Sequence, residues 1–172
     1  MKIATIILAA GQGTRMKSDL PKVLHQLNGK ALVQYSIQAA AGLHSEKTVV
    51  VIGNGSEQVQ QVVGSQAQFA HQTERLGTAH AVLAAEDALK GFKGLVVVIS
   101  ADMPLLTAGT LRNLVEKQTA NPGPLTLLTV RCGNPRGFGR ILRGEDGAVI
   151  GIIEEAQASQ EQWIINEMNV GA

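Results

Sequence analysis

Residues 2–15 read Lys2-Ile3-Ala4-Thr5-Ile6-Ile7-Leu8-Ala9-Ala10-Gly11-Gln12-Gly13-Thr14-Arg15. The near-continuous apolar run from Lys2 to Ala9 is the pattern of a strand covered on both faces, and it leads directly into small residues and glycines. A strand of that kind belongs in a parallel sheet flanked by helices. Residues 48–52, 95–100 and 125–130 carry the same pattern and are expected to be further core strands. Helical periodicities lie between them. Val33, Ile37, Ala40 and Ala41 share a face and stop at Gly42; Ser56 is placed to cap a helix bearing Val59, Val62 and Val63 that ends at Gly64. Thr78 is placed to cap a helix bearing Val82, Ala85 and Leu89 before Gly91, and Thr107 one bearing Leu111, Leu114 and Val115 before Pro122-Gly123-Pro124. Strand and helix thus alternate as far as Val130, which predicts a three-layer, Rossmann-like α/β domain with a mostly parallel sheet. Beyond it, residues 140–143 and 148–154, joined by Gly144-Glu145-Asp146-Gly147, predict a small hairpin insertion.

Open α/β sheets bind ligands at the carboxyl ends of their strands, so Leu8-Ala9-Ala10-Gly11, with Gly13 beyond, is a candidate site. Glycine lets a backbone approach an anion closely and aim successive N–H groups at it, which makes this loop a phosphate cradle. Arg15 supplies a planar fork suited to phosphate oxygens, and Lys22, just after Pro21, a compact ammonium. A dinucleotide site would need a third glycine opening a helix, but Met16 stands there and Pro21 interrupts; a P-loop would need Gly-Lys-Ser or Gly-Lys-Thr. The plain alternative is a tight turn at Gly11 and Gly13 with both cations solvated. After residues 95–100, Asp102 places one carboxylate at a second strand's carboxyl end. Magnesium beside a phosphate site needs only one or two carboxylates, so Asp102 is a metal-ligand candidate; the alternative is a cap on the turn before Pro104.

Composition narrows the partners. The 172 residues suit about one domain with a substantial core, and 45% hydrophobic against 17% charged residues exclude a disordered chain. A net charge of +1 gives no field for nucleic acid or a membrane, so phosphate binding has to be local. Aromatic residues at 3% disfavour stacking platforms, and no nucleic-acid partner is expected. The longest apolar runs fall far below the ~18 residues of a membrane span, and the amino terminus lacks a signal peptide's layout; a cytoplasmic protein is expected. Cys132 stands alone and reads as a small apolar residue, and His25, His44, His71 and His80, scattered without metal-like spacing, as ordinary histidines. Trp163, beside Ile164 and Ile165, reads as a packing residue.

The motifs together carry a resemblance. Leu8-Ala9-Ala10-Gly11-Gln12-Gly13-Thr14-Arg15-Met16 followed by Pro21-Lys22-Val23-Leu24-His25 resembles the signature of the sugar-phosphate nucleotidyltransferases. Gln72 with Leu76-Gly77-Thr78-Ala79-His80, Asp102-Met103-Pro104-Leu105, Gly137-Phe138-Gly139-Arg140-Ile141 and Asn166-Glu167-Met168-Asn169-Val170-Gly171 are most similar, within that family, to the bacterial N-acetylglucosamine-1-phosphate uridyltransferases. The resemblance runs in order along essentially the whole chain. It implies the nucleotide-diphospho-sugar transferase fold and a Mg2+-dependent uridylyl transfer. UTP and N-acetylglucosamine 1-phosphate would give UDP-N-acetylglucosamine and pyrophosphate, a step toward bacterial cell-wall precursors. Such a transfer asks for positioning and charge neutralisation rather than covalent help. The resemblance assigns Leu8, Ala9, Ala10, Gly11 and Gly13 to backbone contacts with the nucleotide, and Arg15 and Lys22 to its phosphates. It assigns Gln72, Gly77 and Thr78 to the uracil edge, Ser100, Ala101 and Asp102 to the nucleotide as well, Asp102 to Mg2+, and Gly139, Glu154 and Asn169 to the acceptor sugar. Plain alternatives stand beside the last three: a turn glycine, a solvated acid next to Glu155, and a capping Asn.

Two positions depart from the family pattern, Arg75 where Gln is frequent and Phe138 where Tyr is common. The family's transferase domain also runs further, supplying an Asn as second metal ligand, before a left-handed β-helix acetyltransferase domain through which full-length members form homotrimers. The expectation is therefore a nucleotidyltransferase domain over residues 1–172, incomplete at its C-terminal end, from a longer bifunctional enzyme and monomeric as a piece. Two alternatives stay open: a transferase for another nucleotide or sugar phosphate, and a module that binds UTP or a UDP-sugar without turnover.

Overall fold

The computed structural model describes residues 1–11, 13, 16–53, 56–74 and 76–171. The chain divides into two units, Met1–Ala120 and Asn121–Ala172. In the first, β1 (Ile3–Leu8) is followed by a short antiparallel pair, β2 (Gln26–Leu27) and β3 (Lys30–Ala31), then α1 (Leu32–Ala41), β4 (Lys47–Ile52), α2 (Glu57–Val63), β5 (Gln68–His71), α3 (Thr78–Leu83), β6 (Leu95–Ser100) and α4 (Ala108–Ala120). The four long strands form a parallel sheet in the order β5-β4-β1-β6.

This order explains the covering of both faces. Right-handed crossovers from β1 to β4 and from β4 to β5 step in one direction and put α1 and α2 on one face, while the return crossover to β6 puts α3 on the other. Ile6, Val49, Val51 and Ala70 pack against Ala81 of α3 and against Ala85, with Val82 and Leu89 beside them. The alternate residues Ile7, Val50 and Ile52 are also fully buried, and α1, which meets β1, carries α2 and α4 against it. Each such Ile or Val contributes about 1.5–3 kcal/mol by leaving water, which is why β1 and β4 read as mostly apolar runs.

Several expectations are corrected. β6 is an edge strand with Val96 45% exposed, not a strand sealed on both faces. The strand β5 was not expected, because only Ala70 of Gln68-Phe69-Ala70-His71 is buried and an edge strand needs no apolar run. Residues 125–130 form no core strand: Leu125 is 61% exposed and the only strand there is β7 (Thr129–Arg131), in the second unit. A short apolar run does not by itself say which face, if any, it will bury. Thr107 caps α4 as expected, its Oγ1 accepting from the Thr110 N–H at 3.2 Å. Ser56 instead donates to the Gly53 carbonyl at 2.5 Å, and Gly77, at φ +97°, precedes α3 so that Thr78 is already helical. Gly42 ends α1 at φ −68°, and its missing side chain matters for space: a Cβ there would lie 2.4 Å from Ala108 Cβ of α4.

The second unit is an antiparallel sheet in the order β7-β10-β8-β9, built from β7, β8 (Arg140–Arg143), β9 (Val149–Ile153) and β10 (Glu167–Asn169), with a one-turn α5 (Gln160–Trp163) before β10. The expected hairpin is β8–β9, closed by the Gly144 N–H on the Ala148 carbonyl at 2.9 Å with Gly147 at φ +78°. Buried Glu167 accepts from Arg143 at 2.6 and 2.9 Å and from the Thr129 hydroxyl at 2.7 Å. Those bonds, Arg143's first, lower its pKa from the ordinary 4.5 to about 2. Trp163 does not pack as expected. It is 57% exposed, its Nε1–H donating to the Glu155 carbonyl at 3.2 Å. No helix among the described residues is long and apolar enough to cross a membrane.

Candidate active site

The sheet order places the glycine segment at a switch point. The chain leaves β1 toward β4 on one side and comes back as β6 on the other, and ligands in open α/β sheets bind where that reversal opens a crevice at the carboxyl ends. Leu8 pairs in register with Ser100; past the strand ends, the Ala101 N–H donates to the Leu8 carbonyl at 3.0 Å and the Ala9 N–H to the Val51 carbonyl at 2.8 Å. Leu8 and Ala9 are thus tied to both neighbours, and Ala10 and Gly11 are the first residues released from the ladder.

Lys22 and Asp102, eighty positions apart, meet here. Pro21 leads into one 3₁₀ turn, Lys22–Leu24, anchored by buried Val23 and Leu24, and the Lys22 ammonium donates to Asp102 Oδ2. The Ser100 hydroxyl donates to Asp102 Oδ1 at 2.5 Å. Burial raises the Asp102 pKa, but the bonds from Lys22 and Ser100 and the Lys22 charge outweigh it, and the net shift is downward. Asp102 is therefore an ionised carboxylate, half-buried, with the hard oxygen chemistry that a small divalent cation takes. Gly13 makes the seat for Lys22. It sits at φ +62°, and a Cβ on it would lie 2.5 Å from Lys22 Cβ. Nothing lies within 4 Å of a Cβ at Gly11, so that backbone faces open space. Arg15 lies outside the described residues, as does Arg75.

On the same edge of the sheet, Gln72 follows β5, 7% exposed, its N–H on the Ile52 carbonyl at 2.8 Å. Its Nε2 lies 3.2 Å from the Gly77 carbonyl and 3.2 Å from His80 Nδ1. Gln72, Gly77 and Thr78 are thus neighbours, and the amide orders the segment that leads into α3.

In the second unit the residues expected at the acceptor sugar also come together. The Asn169 N–H donates to the Gly139 carbonyl at 2.9 Å, and a Cβ on Gly139 would lie 3.2 Å from Glu154 Oε1. Asn169 Oδ1 accepts from the Gly171 N–H at 3.2 Å. Buried Arg140 donates to the Pro135 and Phe138 carbonyls and, at 3.0 Å, to Glu155, which also accepts from the Gly137 N–H at 2.9 Å. That last bond and then Arg140 hold the Glu155 carboxyl below its usual range. The network fixes the loop that carries Gly139. Sequence reasoning missed it, along with His80, although Gly139-Arg140 and Gly77 to His80 stand inside the motifs it used. Cys132 Sγ accepts from the Asn134 N–H at 3.4 Å.

Residues 5–151 match the model of the MobA-like NTP transferase domain. The chain belongs to that family. The bifunctional protein GlmU of Lactobacillus johnsonii is 45% identical over 96% of this chain and 36% of its own length. The bifunctional protein GlmU of Corynebacterium efficiens is 46% identical over 98% and 36%. The chain thus spans about a third of the length of these curated relatives. A Bacillus anthracis protein described as a glucose-1-phosphate thymidylyltransferase shares the fold, with a TM-score of 0.75 over 98% of this chain and 69% of that one at 19% identity.

Proposed function

We propose that the chain transfers a uridylyl group from UTP to N-acetylglucosamine 1-phosphate, releasing pyrophosphate and giving UDP-N-acetylglucosamine for cell-wall precursors. The observation that carries this reading is the meeting of Lys22 and Asp102 at the switch point beside Leu8-Ala9-Ala10-Gly11, in a MobA-like chain whose relatives of 44–46% identity are bifunctional GlmU proteins. A cation and an ionised carboxylate at a backbone cradle are what an in-line phosphoryl displacement uses, since the transition state needs charge neutralised and oxygens aligned rather than a covalent nucleophile.

In this reading the backbone of Leu8, Ala9, Ala10, Gly11 and Gly13 borders the nucleotide, Arg15 and Lys22 bind its phosphates, and Gln72, Gly77 and Thr78 hold the uracil edge. Ser100, Ala101 and Asp102 border the nucleotide as well, Ser100 also holding the Asp102 carboxylate by its hydroxyl, and Gly139, Glu154 and Asn169 contact the acceptor sugar. Asp102 would hold Mg2+, which would supply charge neutralisation at the phosphates when bound. The Lys22 ammonium, which here donates to Asp102, would serve a phosphate oxygen.

The test is pyrophosphate release with Mg2+, UTP and N-acetylglucosamine 1-phosphate, run beside CTP, ATP, dTTP and glucose 1-phosphate. Selective release that Asp102→Asn abolishes supports the assignment. Binding of UTP without release would make the chain a nucleotide-binding module, and absence of UTP binding would overturn the reading of the glycine segment.

A further inference from the structure

Glutamine carries two chemically unlike ends, an NH2 that only donates and a carbonyl oxygen that only accepts. The Gly77 carbonyl also only accepts, so its 3.2 Å approach requires the nitrogen end of Gln72 to face it. The same nitrogen lies 3.2 Å from His80 Nδ1 and has no lone pair to give, so the imidazole has to be the acceptor. That sets His80 as the neutral tautomer with its proton on Nε2. Both hydrogens of the Gln72 amide are then committed, one to Gly77 and one to His80. What the side chain has left for a third partner is Oε1, an acceptor, on a residue that is more than nine-tenths buried.

We infer that His80 is a positioning residue that fixes the polarity of the Gln72 amide, so that the site takes a nucleobase edge bearing a ring N–H and refuses one bearing a ring acceptor. This rests on the assignment of Gln72 to the base under the proposed function. Uracil and thymine present an N–H between two carbonyls at that edge, and Oε1 accepts from it; cytosine presents an acceptor nitrogen at the same position, and two acceptors repel. Gly77 alone holds one hydrogen, and an amide with one anchor turns over at the cost of one bond. With His80 in place, turning over breaks two bonds and points the oxygen at both a carbonyl and an imidazole lone pair.

The experiment is calorimetric titration of the full chain with UTP, CTP and dTTP in the presence of Mg2+, for the wild type, His80→Leu and His80→Asn. His80 is half-buried on α3, so both variants are expected to fold, which circular dichroism checks. His80→Leu removes the acceptor, and the ratio of UTP to CTP affinity should fall by about tenfold, the worth of one hydrogen bond. His80→Asn offers a carbonyl oxygen in place of Nδ1 and should restore much of that ratio. The ratio of UTP to dTTP should stay constant, because both bases show the same edge. An unchanged UTP to CTP ratio in His80→Leu, even with both affinities weakened, would overturn the inference while leaving the proposed function in place. A wild type that binds UTP no better than CTP would overturn it too, and one that binds no nucleotide would overturn both.

Discussion

At the scale of single residues, Gly13 shows how one hydrogen atom in place of a methyl can set a site. Its positive φ and the 2.5 Å between a notional Cβ and Lys22 Cβ mean that Gly13→Ala both strains the backbone and pushes Lys22 away from Asp102. Under the proposed function, Lys22→Ala should weaken UTP binding by about 1.5–3 kcal/mol, the worth of a charge-assisted bond to phosphate. Gly13→Ala should approach the same loss with Lys22 still present, and calorimetric titration of the two variants compares them. A Gly13→Ala protein that binds as the wild type does would show that the seat is not needed. The sequence led to the expectation of a phosphate cradle at these glycines, but it could not say which of them faces open space and which a neighbouring side chain. Gly11 faces open space, while Gly13 faces Lys22, a contact that exists only once the chain has folded back.

At the scale of elements, the strands of the sheet interior and the helix ends behave differently. β1 and β4 were readable because their residues are buried on both faces, whereas β5, with one buried residue in four, and residues 125–128 were not. Caps depend on local geometry that composition does not fix: Thr107 accepts from the third residue of α4 and Ser56 does not accept at α2. Thr107→Ala should therefore destabilise the protein by about 1 kcal/mol in urea titration. The Gly42 to Ala108 approach makes a sharper test. Helix propensity alone says that alanine at Gly42 stabilises by up to about 1 kcal/mol. A Cβ 2.4 Å from Ala108 Cβ says instead that Gly42→Ala destabilises by about 1–3 kcal/mol, and a urea midpoint above the wild type's would refute the packing account.

At the scale of the whole molecule, the second unit carries its own acid sensitivity and its own reporter, since Trp163 is the one tryptophan of the chain. Glu167 has a folded pKa of about 2 against an ordinary 4.5, so it binds fewer protons folded than unfolded at intermediate pH. Its stabilising contribution is complete above about 4.5 and disappears as the pH falls through about 2. Urea unfolding followed by Trp163 fluorescence should show Glu167→Gln less stable than the wild type at pH 7, by about 1–3 kcal/mol, the cost of leaving buried partners unmet. The gap should close as the pH falls from 4.5 toward 2; a gap independent of pH would mean that Glu167 acts through shape alone. The sequence by itself determined the alternation of strand and helix, the glycine segment at the end of β1, the lone carboxylate after β6 and the family to which these motifs belong. All of them follow from local periodicity and residue type, which are written in order along the chain. Only the tertiary structure decided that Lys22 reaches Asp102, that His80 holds the donor end of Gln72, and that Asn169 and Glu154 border Gly139. Lys22 and Asp102 lie eighty positions apart and meet through strand order and register, which no local pattern encodes, while Gln72 and His80, eight positions apart, meet through the turn at Gly77, whose geometry composition does not fix.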